Sequence, residues 1–421
     1  MRRSEQPRHR FASMGSTRDA LLAFLVINLL LGSAWAQKES TVYSFCAKSG
    51  CTDGEYPWAG LVSDKTGNLF GTTSNGGASN YGTVFKITPS GKESVLYSFC
   101  KQSGCKDGRN PFAGLVFDHK GNLYGTTLYG GAANYGTVFK VTPSGKETVL
   151  YSFCKHSNCA DGADPRAVLV FDQLGNLYGT TSIGGAHDNG TVFKLAPSGK
   201  ESVLYSFCAQ VFCPDGASPY AGVVLDTKGN LYGTTYVGGH YVGNCDQMGC
   251  GTVFKVTPSG KESVLHSFCG QGNCDDGATP YAALTFDKKG DLYGTTEYGG
   301  LYNLGTVFKI TPAGKESVLY SFCKQTDCGD GENPYADVIF DAKGNLYGTT
   351  FYGGAYDYHG TVFKLTPSGK ESVLYSFCGQ SNCTDGEFPS SALVFDQKGT
   401  LYGSTTAGGA FVSGIVFTLV P

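Results

Sequence analysis

The chain has 421 residues, with 32 Lys+Arg against 35 Asp+Glu for a net charge of −3, and it is rich in Gly (61) and Cys (16). That balance excludes a nucleic-acid binder, which needs a basic stripe. No segment holds a sustained 3.6-residue apolar period, so a helical fold is excluded as well.

In chain order, the first element is a leader. Five Arg precede an apolar run from Leu21 to Leu31, and Ser33-Ala34-Trp35-Ala36 offers a small-x-small exit before Gln37. Residues 1–36 therefore read as a secretory signal peptide. The apolar run is short for a membrane span, and no second one follows. The expected product is residues 37–421, soluble, without a membrane span and secreted or periplasmic. Without the five Arg, Glu5 and Asp19 it keeps 27 basic and 33 acidic residues, net −6, and its two arginines are Arg109 and Arg166.

From Tyr43 onward a phrase (Tyr/His)-S-F-C-x4-C-x-D-G occurs seven times, its first Cys at 46, 100, 154, 208, 269, 323 and 378, a period of 54 with slips to 61 and 55. A fixed long period marks a repeat array. The cysteines pair locally as Cys46/Cys51, Cys100/Cys105, Cys154/Cys159, Cys208/Cys213, Cys245/Cys250, Cys269/Cys274, Cys323/Cys328 and Cys378/Cys383. An even count at constant spacing in an exported chain predicts eight short-loop disulfides. Metal ligation is the competing reading, but it wants Cys-x2-Cys knuckles or clustered His, and these are missing. No metal and no cofactor are expected.

Within one repeat, residues 111–153 resolve into four short apolar runs. Ala113–Asp118 turns at His119-Lys120-Gly121 into Asn122–Thr127. A Gly-rich loop, 130–136, leads to Thr137–Thr142, and Pro143-Ser144-Gly145-Lys146 turns the chain into Glu147–Phe153. Such β-branched and aromatic runs between Gly/Pro/Asn turns predict an antiparallel meander of strands a to d. The mature chain opens on a lone d strand (Thr41–Phe45) and ends on a c strand (Ile415–Leu419). The expected architecture is all-β: a seven-bladed β-propeller forming one domain, 37–421, its last blade completed by the N-terminal strand. Radial closure protects edges that an open array would expose.

The unit G-T-V-F-K-x-T-P-S-G-K-E-S-V-L-Y-S-F, with L-V-F-D-x-x-G-N-L-Y-G-T-T and a G-G before the next G-T-V-F, resembles the Gloeobacter–Verrucomicrobium-type tandem repeats of exported bacterial proteins. The likeness runs from Thr41 to Pro421. It implies an exported repeat protein, assigns no activity and supplies no catalytic residue. Many relatives carry a C-terminal sorting tail; this chain departs from that pattern at Pro421, so anchoring is not carried over.

The a–b and c–d turns are short and uniform, whereas the b–c and d–a connections are long and varied, so a binding site is expected on their face. Each d–a connection carries its disulfide and then an Asp-Gly turn (Asp53, Asp107, Asp161, Asp215, Asp276, Asp330, Asp385). The reading favoured over a calcium ring is a carboxylate capping backbone N–H groups. After the following Pro stand Trp58, Phe112, Arg166, Tyr220, Tyr281, Tyr335 and Ser390, expected to ring the channel mouth. Arg166 breaks that aromatic series, and Asp337 breaks a second series of small residues two positions on. Both are candidate ligand-binding residues, as are Trp58, Phe112, Tyr220, Tyr281 and Tyr335 and the b–c loop residues Tyr298, Tyr352 and Tyr356. Blade four inserts His240–Cys250.

No nucleophile elbow, zinc-protease helix or phosphate loop is present. The reading is a monomeric, exported, non-catalytic module that recognises an extracellular glycan or a surface protein. The alternatives are a polysaccharide hydrolase or lyase using a channel carboxylate from among Asp337, Glu297, Glu332 and Asp357, and a passive envelope protein.

Overall fold

Hairpin by hairpin, the repeats build sheets that none of them could close alone. The computed structural model describes residues 39–240, 245, 249–270 and 273–421, and the predicted leader lies outside them, as does most of the blade-four insertion. Among the described residues there are seven four-stranded antiparallel sheets. Blade two is typical: Val116–Phe117, Leu123–Thr127, Thr137–Val141 and Glu147–Ser152. The seventh blade joins Glu39–Ser44 to Ile415–Leu419, from Glu39 opposite Leu419 to Ser44 opposite Ile415, with a bulge between Thr41 and Tyr43. The closure read from the ends of the repeat is therefore present.

Each turn has a local cause. Asp118 accepts from the Lys120 and Asn122 amides, both at 2.9 Å, and so folds the a–b hairpin as an Asx turn. On the c–d side Gly145 adopts φ +82°, which a residue with a Cβ takes only at a cost, and the Lys146 amide donates to Thr142 Oγ1.

Strand a is much shorter than expected. Only Val116–Phe117 pairs with its neighbour, not Ala113–Asp118. The reason lies across the blade boundary, where the Ala113 carbonyl accepts Thr72 Oγ1 of blade one at 3.0 Å instead of joining a ladder. The same bond recurs from Thr126 to Ala167, Thr180 to Ala221, Thr234 to Ala282 and Thr295 to Ala336. The first Thr of each G-T-T is thus a clasp between blades.

The core repeats with the sequence. The Phe of each S-F-C lies edge-on to the Phe of the next blade's strand c (V-F), from Phe45–Phe85 at 5.0 Å to Phe377–Phe417 at 5.0 Å. Phe45, Phe85, Phe99 and Phe139 are fully buried. Burial of one such ring contributes roughly 1.5–3 kcal/mol and the pair geometry about 0.5–1.5 more. Gly125 faces this ring directly: a Cβ there would stand 2.8 Å from Phe139 Cζ.

At the outer rim the buried Asp107 accepts the Tyr97 hydroxyl at 2.7 Å and the Lys101 and Gln102 amides. Its role is that of a turn cap, as its position implied. Against this group the next blade places Glu147. Burial, helped by Asp107, pushes the Glu147 carboxyl up to about 7.

Candidate functional site at the channel mouth

The Pro of each D-G-x-x-P packs on the Gly that opens the preceding blade's T-V-F strand; a Cβ on Gly82 would lie 2.6 Å from Pro111 Cδ. That contact fixes the radius at which the chain turns inward, and the next residue enters the mouth. Trp58, Phe112, Arg166, Tyr220, Tyr281, Tyr335 and Ser390 all line one cavity of about 460 Å³. The predicted ring is therefore brought together.

Three further residues complete the cup. Tyr236, Glu297 and Phe351 follow the G-T-T of blades four, five and six and line the same cavity. In sequence they read as b–c loop residues or as one carboxylate among several. The signal that separates them is their common position at the end of strand b, where the other blades carry Ser74, Leu128, Ser182 and Thr406.

One run of the wall is aromatic from Tyr236 to Trp58. Tyr220 and Tyr236 lie 5.0 Å apart, Tyr220 and Tyr281 5.5 Å, Tyr281 and Tyr335 5.4 Å, and Tyr335 and Phe351 4.9 Å. Trp58 stacks on Phe351 at 6.2 Å and is 38% exposed, so its face is open to the mouth.

Two charges interrupt this wall. The Arg166 guanidinium lies 5.1 Å from the Tyr220 ring centroid, a cation–π contact. Its Nε is buried and has no hydrogen-bond partner. Glu297, only 5% exposed, accepts the Tyr335 hydroxyl at 2.8 Å. Burial, and secondarily Glu297, raise the pKa of both Tyr335 and Tyr236, so both stay protonated donors. Burial likewise raises Tyr281, against the opposing pull of Arg166.

The other candidates sit elsewhere. Asp337 lies deeper, where the channel is lined by Gly60, Gly114, Gly222 and Ala283. Its Oδ1 accepts the Ala283 amide at 2.6 Å, and burial raises its pKa. It lines a second cavity, which it shares with Trp58, Phe112, Arg166, Tyr220, Tyr281 and Tyr335, and not the cup of about 460 Å³. Tyr298 interacts with Glu297 but does not line the cup, and Tyr352 packs edge-on to Phe351 at 4.7 Å. Tyr356 is 49% exposed and stands over Gly379, a d–a loop residue outside the mouth.

All eight predicted disulfides are present, each within its own C-x4-C. Their place on the loop face needs one correction. Cys213, in a d–a loop expected on the accessible binding face, is buried at 2% exposure. It packs with Ala217 and Val237 in a small apolar cluster that Cys208 and Tyr236 cover. The physical reason is that the bridge folds its loop back on the end of strand b. Its sulfur becomes core rather than binding surface, and Cys328 is buried too, at 5% exposure.

The groupings close enough to hold a metal, such as His359 with Cys378 and Cys383, are built on these bridged sulfurs, which lack the thiolate a metal needs. Among the described residues no helix is long and apolar enough to cross a membrane.

The model of the Gloeobacter/Verrucomicrobia repeat family matches residues 34–245 and 242–421. No curated protein matches the chain. Solved structures similar to it are propellers of distant sequence. PorZ, a surface component of the type-IX secretion system of Porphyromonas gingivalis, aligns at 15% identity and TM-score 0.53 over 87% of this chain and 47% of that one. A puromycin hydrolase aligns at 11% identity and TM-score 0.52 over 87% and 52%. This chain thus spans about half the length of each. A putative gluconolactonase aligns at 13% identity and TM-score 0.42 over 92% of both chains. At such identities the likeness is one of fold.

Proposed function

We propose that this chain, which belongs to the Gloeobacter/Verrucomicrobia repeat family, is an exported binding propeller that takes an acidic sugar of an extracellular glycan at its channel mouth. The observation that carries the reading is Arg166: its buried Nε lacks a partner within a cup walled mainly by aromatic rings. A guanidinium presents a planar fork matched to a carboxylate. The exposed ring of Trp58 suits the C–H face of a pyranose, and Glu297 suits its hydroxyls as an acceptor. The cavity, about 460 Å³, falls within the usual range for small ligands.

The test is a glycan array followed by calorimetry with uronic-acid and neutral oligosaccharides, with product formation followed in the same samples. Binding of acidic over neutral sugars, without new reducing ends or unsaturated products, supports the reading. Turnover would replace it with a hydrolase or lyase, and silence toward all glycans would point to a protein partner or a passive envelope role.

A further inference from the structure

The blade-four insertion brings a second disulfide onto the one that every repeat carries. Cys245–Cys250 closes the insertion and Cys269–Cys274 closes the blade-five loop, and the Cys245 and Cys269 sulfurs are 3.9 Å apart. All four sulfurs lie within 4.8 Å of one another. Cys269, Cys250 and Cys274 are buried, at 0%, 1% and 7% exposure, while Cys245 is only half-buried. Solvent therefore reaches this cluster through Cys245.

The blade-five loop is also held differently from most of its counterparts. In five blades the first Cys amide donates to the Gly of the Asp-Gly turn, as Cys100 does to Gly108 and Cys323 to Gly331, both at 3.1 Å. In blade five the Cys269 amide goes to Asp276 Oδ1. Cys105, Cys159 and Cys328 each close a 3-10 turn, and Cys274 closes none. Cys213 closes none either, but it is seated within its own blade on Ala217 and Val237, whereas Cys274 shares its core cluster with Cys250 of the insertion.

We infer that the two bridges form a thiol–disulfide exchange pair. An external dithiol attacks Cys245 Sγ, expels the Cys250 thiolate and leaves as its own cyclic disulfide, so that Cys245 and Cys250 become thiols. The Cys245 thiolate then attacks Cys269 Sγ. The Cys245–Cys269 bond forms, the Cys269–Cys274 bond breaks, and the Cys274 thiolate takes up the proton that Cys245 released. The second step consumes no oxidant, and its rate follows the thiolate fraction and proximity of the attacking sulfur. Its product staples the insertion of blade four to the loop of blade five. That staple borders a cavity of about 340 Å³ lined by Tyr236 and Tyr298, and Tyr236 is also a wall of the channel mouth. The exchange is thus placed to report redox state to the mouth, whatever the mouth binds.

The experiment maps bridges by mass spectrometry of alkylated, non-reduced digests of the full chain. Cys250→Ser leaves Cys245 as a thiol beside an intact Cys269–Cys274. The expected result is a Cys245–Cys269 peptide carrying most of the Cys269, with Cys274 alkylated. Cys51→Ser is the control, and its Cys46 should stay alkylated and unbridged. A Cys250→Ser protein with Cys245 alkylated and Cys269–Cys274 intact overturns the inference. The wild-type chain, treated with limiting dithiol and then quenched, decides the matter independently of how the variant folds. Alkylation at Cys250 and Cys274 supports exchange, and alkylation confined to Cys245 and Cys250 refutes it.

Discussion

Ser404 Oγ lies 3.3 Å from the Ala59 carbonyl, so blade seven clasps blade one with the bond that Thr72 makes to Ala113 between blades one and two. The two residues are 345 positions apart, yet their relationship is that of any neighbouring pair of blades. The ring is closed by the same chemistry that propagates it.

Closure predicts what happens when the last strand is withheld. Deleting residues 39–45 removes the partner of Ile415–Leu419 and the Phe45 ring that meets Phe85 at 5.0 Å. Bare strand edges template association, so the truncated protein should elute as higher oligomers in size-exclusion chromatography and melt at lower temperature. A monomer with the parent melting temperature would contradict a closed ring.

The inter-blade Phe pairs should be equivalent. Phe45→Ala and Phe99→Ala each empty a fully buried site and should each cost about 3–5 kcal/mol in urea unfolding. A much smaller loss at Phe45 alone would mean that the seam between the chain ends is looser than the other junctions.

Stability should fall as pH rises toward neutrality. Glu147 and its counterparts Glu39, Glu201, Glu262, Glu316 and Glu371 are pushed up to about 7, chiefly by burial, from an ordinary 4.5. The folded state then holds more protons than the unfolded one between these values, so ΔG of unfolding decreases with pH across that window. The contribution is complete below about 4.5 and is lost as pH passes about 7. Melting temperatures measured from pH 5 to 8 should decline. Glu147→Gln, which imitates the protonated form, should stabilise at pH 8 and change little at pH 5.

Arg166→Ala should weaken acidic-sugar binding by about 1.5–3 kcal/mol, the range for a hydrogen bond to a charged group. Arg166→Lys should not restore it, because a lysine lacks the planar fork. Asp337→Gly should leave affinity unchanged in the same calorimetry, since its carboxylate is engaged by the Ala283 amide below the mouth. Equal losses for Asp337→Gly and Arg166→Ala would move the ligand down into the channel.

Much of this was legible in the chain because the signals are local. Turn residues such as Asp118 and Gly145, the alternation in T-V-F-K-V and the C-x4-C spacing act over two to six residues, and repetition multiplied them into seven blades with a complementary start and end. The inward turn after each Pro also follows from the repeat, so the common position of Trp58, Phe112, Arg166 and Tyr220 is legible in the sequence. What tertiary structure alone decided lies in contacts between segments far apart in the chain, most of them between blades. Strand a shrank to Val116–Phe117 because a neighbour's Thr claims its carbonyl. Tyr236, Glu297 and Phe351 joined the cup at the mouth, while Asp337 lines the adjoining channel cavity with the same aromatics. Cys213 sank from its loop onto Val237, and Cys245 came to rest against Cys269 of the next blade. Such contacts depend on the radius and tilt at which seven sheets pack, quantities summed over the whole ring and carried by no single stretch of sequence.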